Sequence, residues 1–206
     1  MTNFERHKHW EDIYKANKHS EVGWYQAKPV TSLEFVKQFN IPTFAKIIDI
    51  GGGDSFFVDN LLYLGYQDIT VLDISETAIN RVRERLGDWG EKVKWINSDI
   101  VTFKPTEKYD FWHDRATFHF LTQNSEIKKY LDTAKRSIKH KGILVLGTFS
   151  EEGPKKCSGI EIKQYSETSM SDLFKPSFEK IKCTKISHKT PSDKLQNYIF
   201  CCFRKL

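Results

Sequence analysis

The stretch with the clearest chemical meaning is an apolar run that leads into a glycine-rich turn, residues 47–55, reading Ile-Ile-Asp-Ile-Gly-Gly-Gly-Asp-Ser. Glycine tolerates positive φ and close approach of a ligand to the backbone, so Gly51 and Gly53 predict a nucleotide-cofactor cradle at the start of the next helix. The dinucleotide motif G-x-G-x-x-G would require a third glycine where Phe56 stands. The turn therefore disfavours nicotinamide and flavin cofactors and favours a ligand without phosphates.

Acidic residues recur where short apolar runs end. The later runs are Ile69–Asp73, Val93–Ile96 followed by Asn97-Ser98-Asp99-Ile100, and Tyr109–Trp112 followed by His113-Asp114-Arg115. In an open α/β sheet the carboxyl ends of the strands face one crevice, so we expect four carboxylates to converge there: Asp49, Asp73, Asp99 and Asp114. Asp73 can accept two ribose hydroxyls. The alternative is that each aspartate is only a helix cap or turn residue.

From about Phe35 onward, this order of motifs resembles the class I S-adenosylmethionine-dependent methyltransferases. The family pattern is acidic-x-Gly-x-Gly-x-Gly; Asp49, Gly51 and Gly53 match it, and Ser55 replaces the last glycine. The resemblance implies S-adenosyl-L-methionine as cofactor and S-adenosyl-L-homocysteine as product. It implies that Asp49 and the glycine backbone hold the amino acid end, Asp73 the ribose, and Asp99 with Ile100 the adenine. The full predicted cofactor-binding set is Trp24, Tyr25, Asp49, Gly51, Gly53, Asp73, Ile74, Asp99, Ile100 and Asp114.

Two further segments are similar to thiopurine and thiol methyltransferases. One is N-terminal, His9-Trp10-Glu11-Asp12 with Trp24-Tyr25-Gln26; the other is His113-Asp114-Arg115-Ala116 after the fourth strand. Those enzymes carry a Trp-containing helix that covers the cofactor and a Trp-Asp-Arg-Gly turn, where this chain has His113 and Ala116. The N-terminal pattern is also similar to small protein-lysine methyltransferases. The resemblance implies that Trp24 and Tyr25 form a lid, and core packing is the alternative.

The reaction expected of this family is a direct in-line displacement, for which the protein mainly aligns the reactants and excludes water. A base is needed only when the acceptor must lose a proton. His113 and His119 are the candidates, since an unperturbed imidazole titrates near neutrality. Arg115 is the third candidate catalytic residue, as an anion anchor whose planar fork suits carboxylates, and an internal ion pair with Asp114 is the alternative.

Strand and helix patterns alternate along the chain, which predicts an α/β, Rossmann-like class I methyltransferase fold with a mostly parallel seven-stranded sheet and helices on both faces. The helices are predicted at about 4–15, from Pro29 to near 39, 55–64, 76–86 and 125–139, the last capped by Asn124-Ser125. The fifth strand is predicted at Ile143–Phe149, and a C-terminal β-hairpin at about Phe178–His188 and Asn197–Arg204. The resemblance implies that one hairpin strand inserts antiparallel. We expect a single domain over 1–206, with residues 1–40 as a helical lid segment and 41–206 as the core.

Composition narrows the class of protein. The chain has 206 residues and 39% hydrophobic content without a Pro/Gly/Ser-rich linker, and no apolar run approaches the ~20 residues of a membrane span. The N-terminus lacks the apolar segment of a signal peptide, so we expect a soluble, cytoplasmic protein. The net charge is +5, but the lysines and arginines are spread along the chain with acidic residues between them. A nucleic-acid partner is therefore the third choice, and an anionic small substrate is compatible with the charge.

The four cysteines follow neither a metal-binding nor a disulfide pattern, so we expect reduced thiols and no metal. Cys157 lies in a turn-rich loop after the fifth strand. Two interpretations are open for it: a role in substrate contact or redox chemistry, and an inert loop cysteine. The leading functional hypothesis is methyl transfer to a small thiol-like acceptor. The alternatives are a protein lysine acceptor and, from another class, a non-catalytic protein that binds S-adenosylmethionine.

Overall fold

A seven-stranded sheet forms the centre of the structure, a computed structural model that describes residues 5–206. Its strands are β1 (Lys46–Ile50), β2 (Asp68–Asp73), β3 (Val93–Asn97), β4 (Tyr109–Arg115), β5 (Ile138–Phe149), β8 (Phe178–Lys189) and β9 (Leu195–Lys205), and a separate two-stranded hairpin contains β6 (Lys156–Cys157) and β7 (Ile160–Glu161). The order across the large sheet is β3-β2-β1-β4-β5-β9-β8. Strands β1 to β5 pair in parallel, and β9 inserts antiparallel between β5 and β8. The predicted fold and the antiparallel insertion are confirmed.

Six α-helices surround the sheet within the described residues: α1 (Arg6–Ala16), α2 (Val30–Gln38), α3 (Phe57–Tyr63), α4 (Glu76–Leu86), α5 (Asn124–Ser137) and α6 (Glu167–Phe174). Phe4, the predicted start of the first helix, lies outside the described residues. Successive strand residues point to opposite faces, so Ile48 and Trp112 belong to one hydrophobic core while Ile47 and Phe111 belong to the other. The first core contains residues of α5 and α6, and the second contains residues of α2 and α3. Helices therefore cover both faces, as predicted.

Several local boundaries differ from the sequence prediction. The residue before α5 is Gln123, whose side chain makes no capping hydrogen bond, so the predicted Asn124-Ser125 cap is wrong. Strand β5 begins at Ile138 rather than Ile143, because Ile138 already pairs with Tyr109 of β4. Helix α6 and the β6–β7 hairpin were not predicted. Their segments are short, and their apolar residues complete cores that were built by distant parts of the chain.

The expectation of four reduced cysteines is wrong for two of them. Cys183 and Cys201 face each other in the β8–β9 register and form a disulfide with a Cα–Cα distance of 4.1 Å. Cys201 and Cys202 point to opposite cores, as the strand periodicity predicts. Cys157 is a partly buried free thiol. Pairing of Cys183 with Cys201 depends on the hairpin register, which cysteine spacing alone does not reveal.

No helix within residues 5–206 combines the length and the apolar character that crossing a membrane would require.

Candidate cofactor and acceptor site

One cavity opens at the carboxyl ends of β1 to β4, with about 970 Å³ of free space between its walls when the part open to solvent is included. Its walls combine aromatic and apolar side chains with a few polar groups, which is typical of small-molecule and cofactor sites. Eight of the predicted site residues line it: Trp24, Asp49, Gly51, Asp73, Ile74, Asp99, Ile100 and Arg115, with His113 as a ninth. The walls also include Arg6, Trp10, Tyr14, Pro29, Ser32, Gly52, Ser55, Leu72, Ser98, Ala116, Thr117, Phe120, Leu121 and Cys157.

The glycine turn after β1 is shaped so that no side chain fits there. Gly51 and Gly53 have φ of +63° and +52°. A Cβ at Gly51 would lie 1.7 Å from the Thr117 hydroxyl oxygen, and one at Gly53 would lie 2.3 Å from the Tyr14 hydroxyl. The Gly51 N–H donates to the Leu72 carbonyl at 2.7 Å, which ties the turn to the end of β2. Backbone, rather than side chain, therefore forms this part of the wall.

Asp73 is a buried carboxylate at the end of β2. It accepts hydrogen bonds from the Gly53 N–H at 2.7 Å and from the Ser75 N–H at 2.8 Å. Burial raises its pKa to about 7, although these two N–H groups act in the opposite direction. Each carboxylate oxygen has a second lone pair. A buried carboxylate with free lone pairs fits a ligand that carries vicinal hydroxyls, because these hydroxyls donate to the carboxylate when it is ionised.

Asp99, at the end of β3, connects the cavity to the N-terminal helix. Its Oδ1 accepts from the Val101 N–H at 2.9 Å, and its Oδ2 pairs with Arg6 Nη1 at 2.7 Å. Arg6 also pairs with Glu126 on α5. Ile100 beside it is buried in the first core while it lines the cavity. One cation on α1 therefore clamps the strand end that the resemblance assigns to adenine.

Helix α1 lines the cavity with Arg6, Trp10 and Tyr14 and is anchored by polar contacts at α4. The Glu11 carboxylate accepts from the Ser75 hydroxyl at 2.9 Å and from the Thr77 hydroxyl at 2.5 Å. Burial opposes its ionisation, but these hydrogen bonds outweigh burial and lower its pKa to about 2. Glu11 therefore stays ionised at physiological pH and holds α1 against the start of α4.

Four aromatic rings form one side of the cavity, which we call the aromatic wall: Trp10, Tyr14, Trp24 and Phe120. The Trp24 ring lies 6.0 Å from both the Trp10 and Tyr14 rings, and Phe120 lies 4.8 Å from Trp10, measured between centroids. All four line the cavity. Aromatic faces attract cations, so this wall is suited to a sulfonium group. Trp24 thus serves packing and cavity lining together.

We expect Arg6→Ala to accelerate the dissociation of S-adenosylhomocysteine by about three- to tenfold. The substitution removes the clamp between α1, Asp99 and Glu126, and hydrogen bonds to charged groups contribute about 1.5–3 kcal/mol before solvent exposure reduces them. Stopped-flow tryptophan fluorescence would measure the rate, since Trp10 and Trp24 line the cavity. Lys8→Ala on the same helix, which removes an exposed pair with Asp12, is the matched control; equal rates for both variants would contradict the clamp.

Four predicted site residues do not line the cavity. Tyr25 packs outside the cavity lining against the rings of His19 and Phe56, whose centroids lie 5.0 and 6.3 Å from its own. Gly53 contributes through its N–H bond to Asp73.

Asp114 is fully buried and accepts from the Thr117 and Phe118 N–H groups and from the Tyr130 hydroxyl. These contacts make Asp114 an organiser of the turn after β4, and burial raises its pKa to about 6.

His119 is the fourth. Its side chain is fully buried, its Nδ1 accepts from the Phe149 N–H at 3.2 Å, and its Nε2 has no hydrogen-bond partner. Burial, with a contribution from the Arg115 charge, lowers its pKa to about 3. His119 is therefore a neutral core residue at physiological pH, and we leave it out of the proposed proton chemistry.

His113 lies between two partners at the cavity wall. Its Nδ1 is 2.6 Å from Asp49 Oδ1, and its Nε2 is 2.8 Å from Ser32 Oγ. The sequence analysis predicted a helix from Pro29 to near 39 but did not name Ser32. In the structure Val30 is 49% exposed and Ser32 is 1% exposed. The spacing of Ser32, Phe35 and Val36, at i, i+3 and i+4, was the signal that could have found it.

Arg115 enters the cavity without a carboxylate partner among the described residues. Its Nη1 donates to the Trp24 carbonyl at 3.0 Å, its guanidinium lies 5.5 Å from the Tyr198 ring, and its Nη2 is enclosed without a partner. The predicted alternative, an ion pair with Asp114, is wrong because Asp114 bonds elsewhere. Burial lowers the pKa of Arg115 below its usual value. A partly buried cation with an unused donor fits an anionic group supplied by a ligand.

Comparison with known proteins agrees with this geometry. Residues 47–142 match a family model described as "Methyltransferase domain". The chain is 24% identical over 155 residues, 67% of its length, to mouse "EEF1A lysine methyltransferase 2", and 28% identical over 96 residues, 46% of its length, to "Malonyl-[acyl-carrier protein] O-methyltransferase 1" of Ilyobacter polytropus. The aligned segments span 63% and 33% of those two relatives, less than two thirds of either.

Solved structures extend the likeness over the whole fold. The "N-methyltransferase NodS from Bradyrhizobium japonicum WM9", solved in complex with S-adenosyl-L-homocysteine, superposes with a TM-score of 0.74 at 16% identity. The alignment covers 98% of this chain and 99% of that one. At this identity the comparison shows the fold alone. Together with the family model over residues 47–142, this shared fold agrees with the resemblance stated from the sequence.

Proposed function

We propose that this chain, a class I S-adenosylmethionine-dependent methyltransferase by its fold and its family match, transfers the methyl group to the thiol of a small molecule. The observation that supports the acceptor class is Arg115, a cavity-lining cation that meets no carboxylate among residues 5–206 and whose Nη2 is enclosed without a hydrogen-bond partner there. A thiolate is the reactive form of a thiol, and a nearby cation lowers the pKa of a thiol. Arg115 therefore supports an acceptor that reacts as an anion.

The residues present fit the cofactor. The glycine turn offers bare backbone, Asp73 offers a buried carboxylate for ribose hydroxyls, and Asp99 with Ile100 borders the position proposed for adenine. When bound, S-adenosylmethionine supplies an activated methyl group on a cationic sulfur. The protein binds and orients: the aromatic wall faces the cation, Arg115 holds the acceptor anion, and the lid excludes water.

A protein lysine is the second candidate, supported by the lysine methyltransferase among the relatives. Its ε-amino group must enter as a cation or lose a proton near Arg115, and two positive charges at short range repel each other. The cavity is also covered by α1, whereas a lysine on a folded protein needs an open entrance. These two features favour the small thiol. A non-catalytic binding protein remains the alternative from another class.

The test is a methyl-transfer panel. Purified protein with methyl-labelled S-adenosylmethionine is offered small thiols, small amines, carboxylates and lysine-containing proteins in parallel, and label transfer is measured by mass spectrometry. We expect methylation of thiols, faster at higher pH. Transfer to protein lysines alone would replace the proposed acceptor, and tight cofactor binding without transfer to any class would favour the binding protein.

A further inference from the structure

Three side chains from separate elements form a continuous hydrogen-bonded line at the cavity wall. Ser32 on α2, His113 on β4 and Asp49 on β1 are 1%, 2% and 4% exposed, and all three line the cavity. The Ser32–His113 and His113–Asp49 contacts are 2.8 and 2.6 Å. Ordinary helix packing does not require a buried serine that reaches a histidine on the sheet, so this arrangement calls for a chemical explanation.

We propose that Ser32, His113 and Asp49 form a proton relay that deprotonates the acceptor thiol. This inference rests on the proposed function and deepens it by assigning the base. Ser32 is the end that meets the acceptor, His113 is the proton-accepting group, and Asp49 holds the imidazole in place. Of the three, only His113 and Asp49 were candidates from the sequence, and Asp49 only as a cofactor ligand.

The relay requires one arrangement of protons. As an ionised carboxylate, Asp49 accepts from the His113 Nδ1–H across the 2.6 Å contact, which leaves the ring proton on Nδ1. The Nε2 of the neutral ring then carries a lone pair and accepts from the Ser32 hydroxyl. The Ser32 oxygen in turn has lone pairs for a proton donor in the cavity. Hydroxyl, imidazole and carboxylate are thus connected in the order used to activate nucleophiles by an adjacent base.

The proposed step transfers one proton and one methyl group. The acceptor S–H proton moves to Ser32 Oγ while the Ser32 proton moves to His113 Nε2, which gives an imidazolium beside Asp49. The freed electron pair on the acceptor sulfur forms the new S–C bond, and the pair of the broken methyl–sulfur bond stays on the donor sulfur. Release of the methylated product opens the cavity, and the proton passes from His113 to water. No oxidant or further reactant is required.

Acidic groups lie on both sides of His113. Asp49 on β1 faces the ring directly, and Asp114 on β4 also interacts with it. Arg115 on β4 interacts with Asp49. Among the described helices, α2 contributes the Ser32 hydroxyl and α3 contributes the Phe57 ring at 4.3 Å, and both groups are uncharged. The carboxylate in direct contact with the ring is therefore Asp49, the group that the relay assigns to hold the imidazole.

The decisive experiment compares thiols of different acidity. Ser32→Ala should lower kcat for cysteine-like alkyl thiols, whose pKa is near 8.5, by about 10²-fold or more, the usual size of general-base catalysis. Its effect on aromatic thiols that are already ionised at the assay pH should be less than threefold, because no proton remains to be removed. kcat should therefore depend more steeply on the acidity of the thiol in Ser32→Ala than in wild type. Affinity for S-adenosylhomocysteine, measured by calorimetry, should stay within threefold of wild type.

Two outcomes overturn the relay. An equal loss for all thiols, or a large loss of S-adenosylhomocysteine affinity, would mean that the line of residues holds the cofactor or the fold instead. Thr31→Ala, one position earlier on α2, is the matched control and should leave kcat unchanged for both thiol types. Ser32→Thr, which restores a hydroxyl, should recover part of the activity.

A second readout does not need an acceptor. Nitrogen NMR of His113 in the complex with S-adenosylhomocysteine should show a proton on Nδ1 and none on Nε2 at neutral pH, and the Nε2 resonance should move in Ser32→Ala. A ring protonated on both nitrogens at neutral pH, or an Nε2–H tautomer, would overturn the relay. If wild-type protein methylates no thiol, the proposed acceptor fails, while this spectrum still decides whether the relay exists.

Discussion

Asp73→Ala is expected to weaken S-adenosylhomocysteine binding by about 1–3 kcal/mol, roughly 5- to 150-fold, as measured by isothermal titration calorimetry. The carboxylate accepts from Gly53 and Ser75 at 2.7 and 2.8 Å, and we propose that its remaining lone pairs accept the ribose hydroxyls. The substitution removes both the ligand contacts and the group that organises the glycine turn. Both losses act on cofactor binding, which makes this one of the two largest effects we predict.

The same carboxylate makes cofactor affinity depend on pH. Burial raises the pKa of Asp73 to about 7 in the protein without ligand, and hydroxyl donors stabilise the ionised form. Binding therefore lowers this pKa and releases protons below about pH 7. Affinity should rise from pH 6 to 8 and then level off. Calorimetry in buffers of different ionisation enthalpy measures the released protons, and Asp73→Asn should abolish the release.

Asp132→Ala is the control for these measurements, because it removes an aspartate from α5, away from the cavity. It should leave both the affinity and its pH dependence unchanged. Unaltered affinity in Asp73→Ala, with the variant folded by circular dichroism, would remove Asp73 from the proposed cofactor site.

The second large effect is expected at Arg115. Arg115→Gln should lower kcat for thiol acceptors by about 10- to 150-fold, the equivalent of one charge-assisted contact worth roughly 1.5–3 kcal/mol, with S-adenosylhomocysteine affinity within a few-fold of wild type. Removing the cation removes the group that stabilises the thiolate. Arg115→Lys should lie between the two, since lysine retains the charge but loses the planar fork that reaches Trp24.

The sign of the Arg115 effect separates the two acceptor classes. With a lysine acceptor, Arg115→Gln should leave methylation unchanged or accelerate it, because a repelling cation has been removed. Arg83→Gln on the exposed side of α4, where the arginine pairs with Glu91, is the control and should have no effect on either acceptor. Normal thiol turnover in Arg115→Gln would make Arg115 a structural residue.

Much of the fold could be predicted from the chain because the signals are local. The apolar runs that end in Asp49 and Asp73, the glycine turn between strand and helix, and the strand–helix alternation each lie within a few residues. Parallel pairing then brings strand ends to one edge of the sheet. Asp49, Asp73 and Asp99 accordingly reach the same cavity, as the sequence analysis expected.

The directions of the side chains could not be predicted from the sequence, because they depend on elements that meet only after folding. Asp114 has the sequence position of a site residue but turns toward Tyr130 on α5. His119 is three residues beyond Ala116 and becomes a core residue against Phe149. The disulfide between Cys183 and Cys201 likewise depends on the register of β8 against β9.

The sequence by itself determined the sheet and the glycine turn, because hydrophobic periodicity and glycine conformation are properties of short segments, and the resemblance of these motifs to a known family implied the cofactor. Only the tertiary structure decided which side chains meet beside that turn. Among the described residues it left Arg115 without a carboxylate partner, and it joined Ser32, His113 and Asp49, residues separated by up to 81 positions, into one hydrogen-bonded line. The physical reason is that a contact across the sheet depends on how α2, β1 and β4 pack together, and no local pattern encodes that packing.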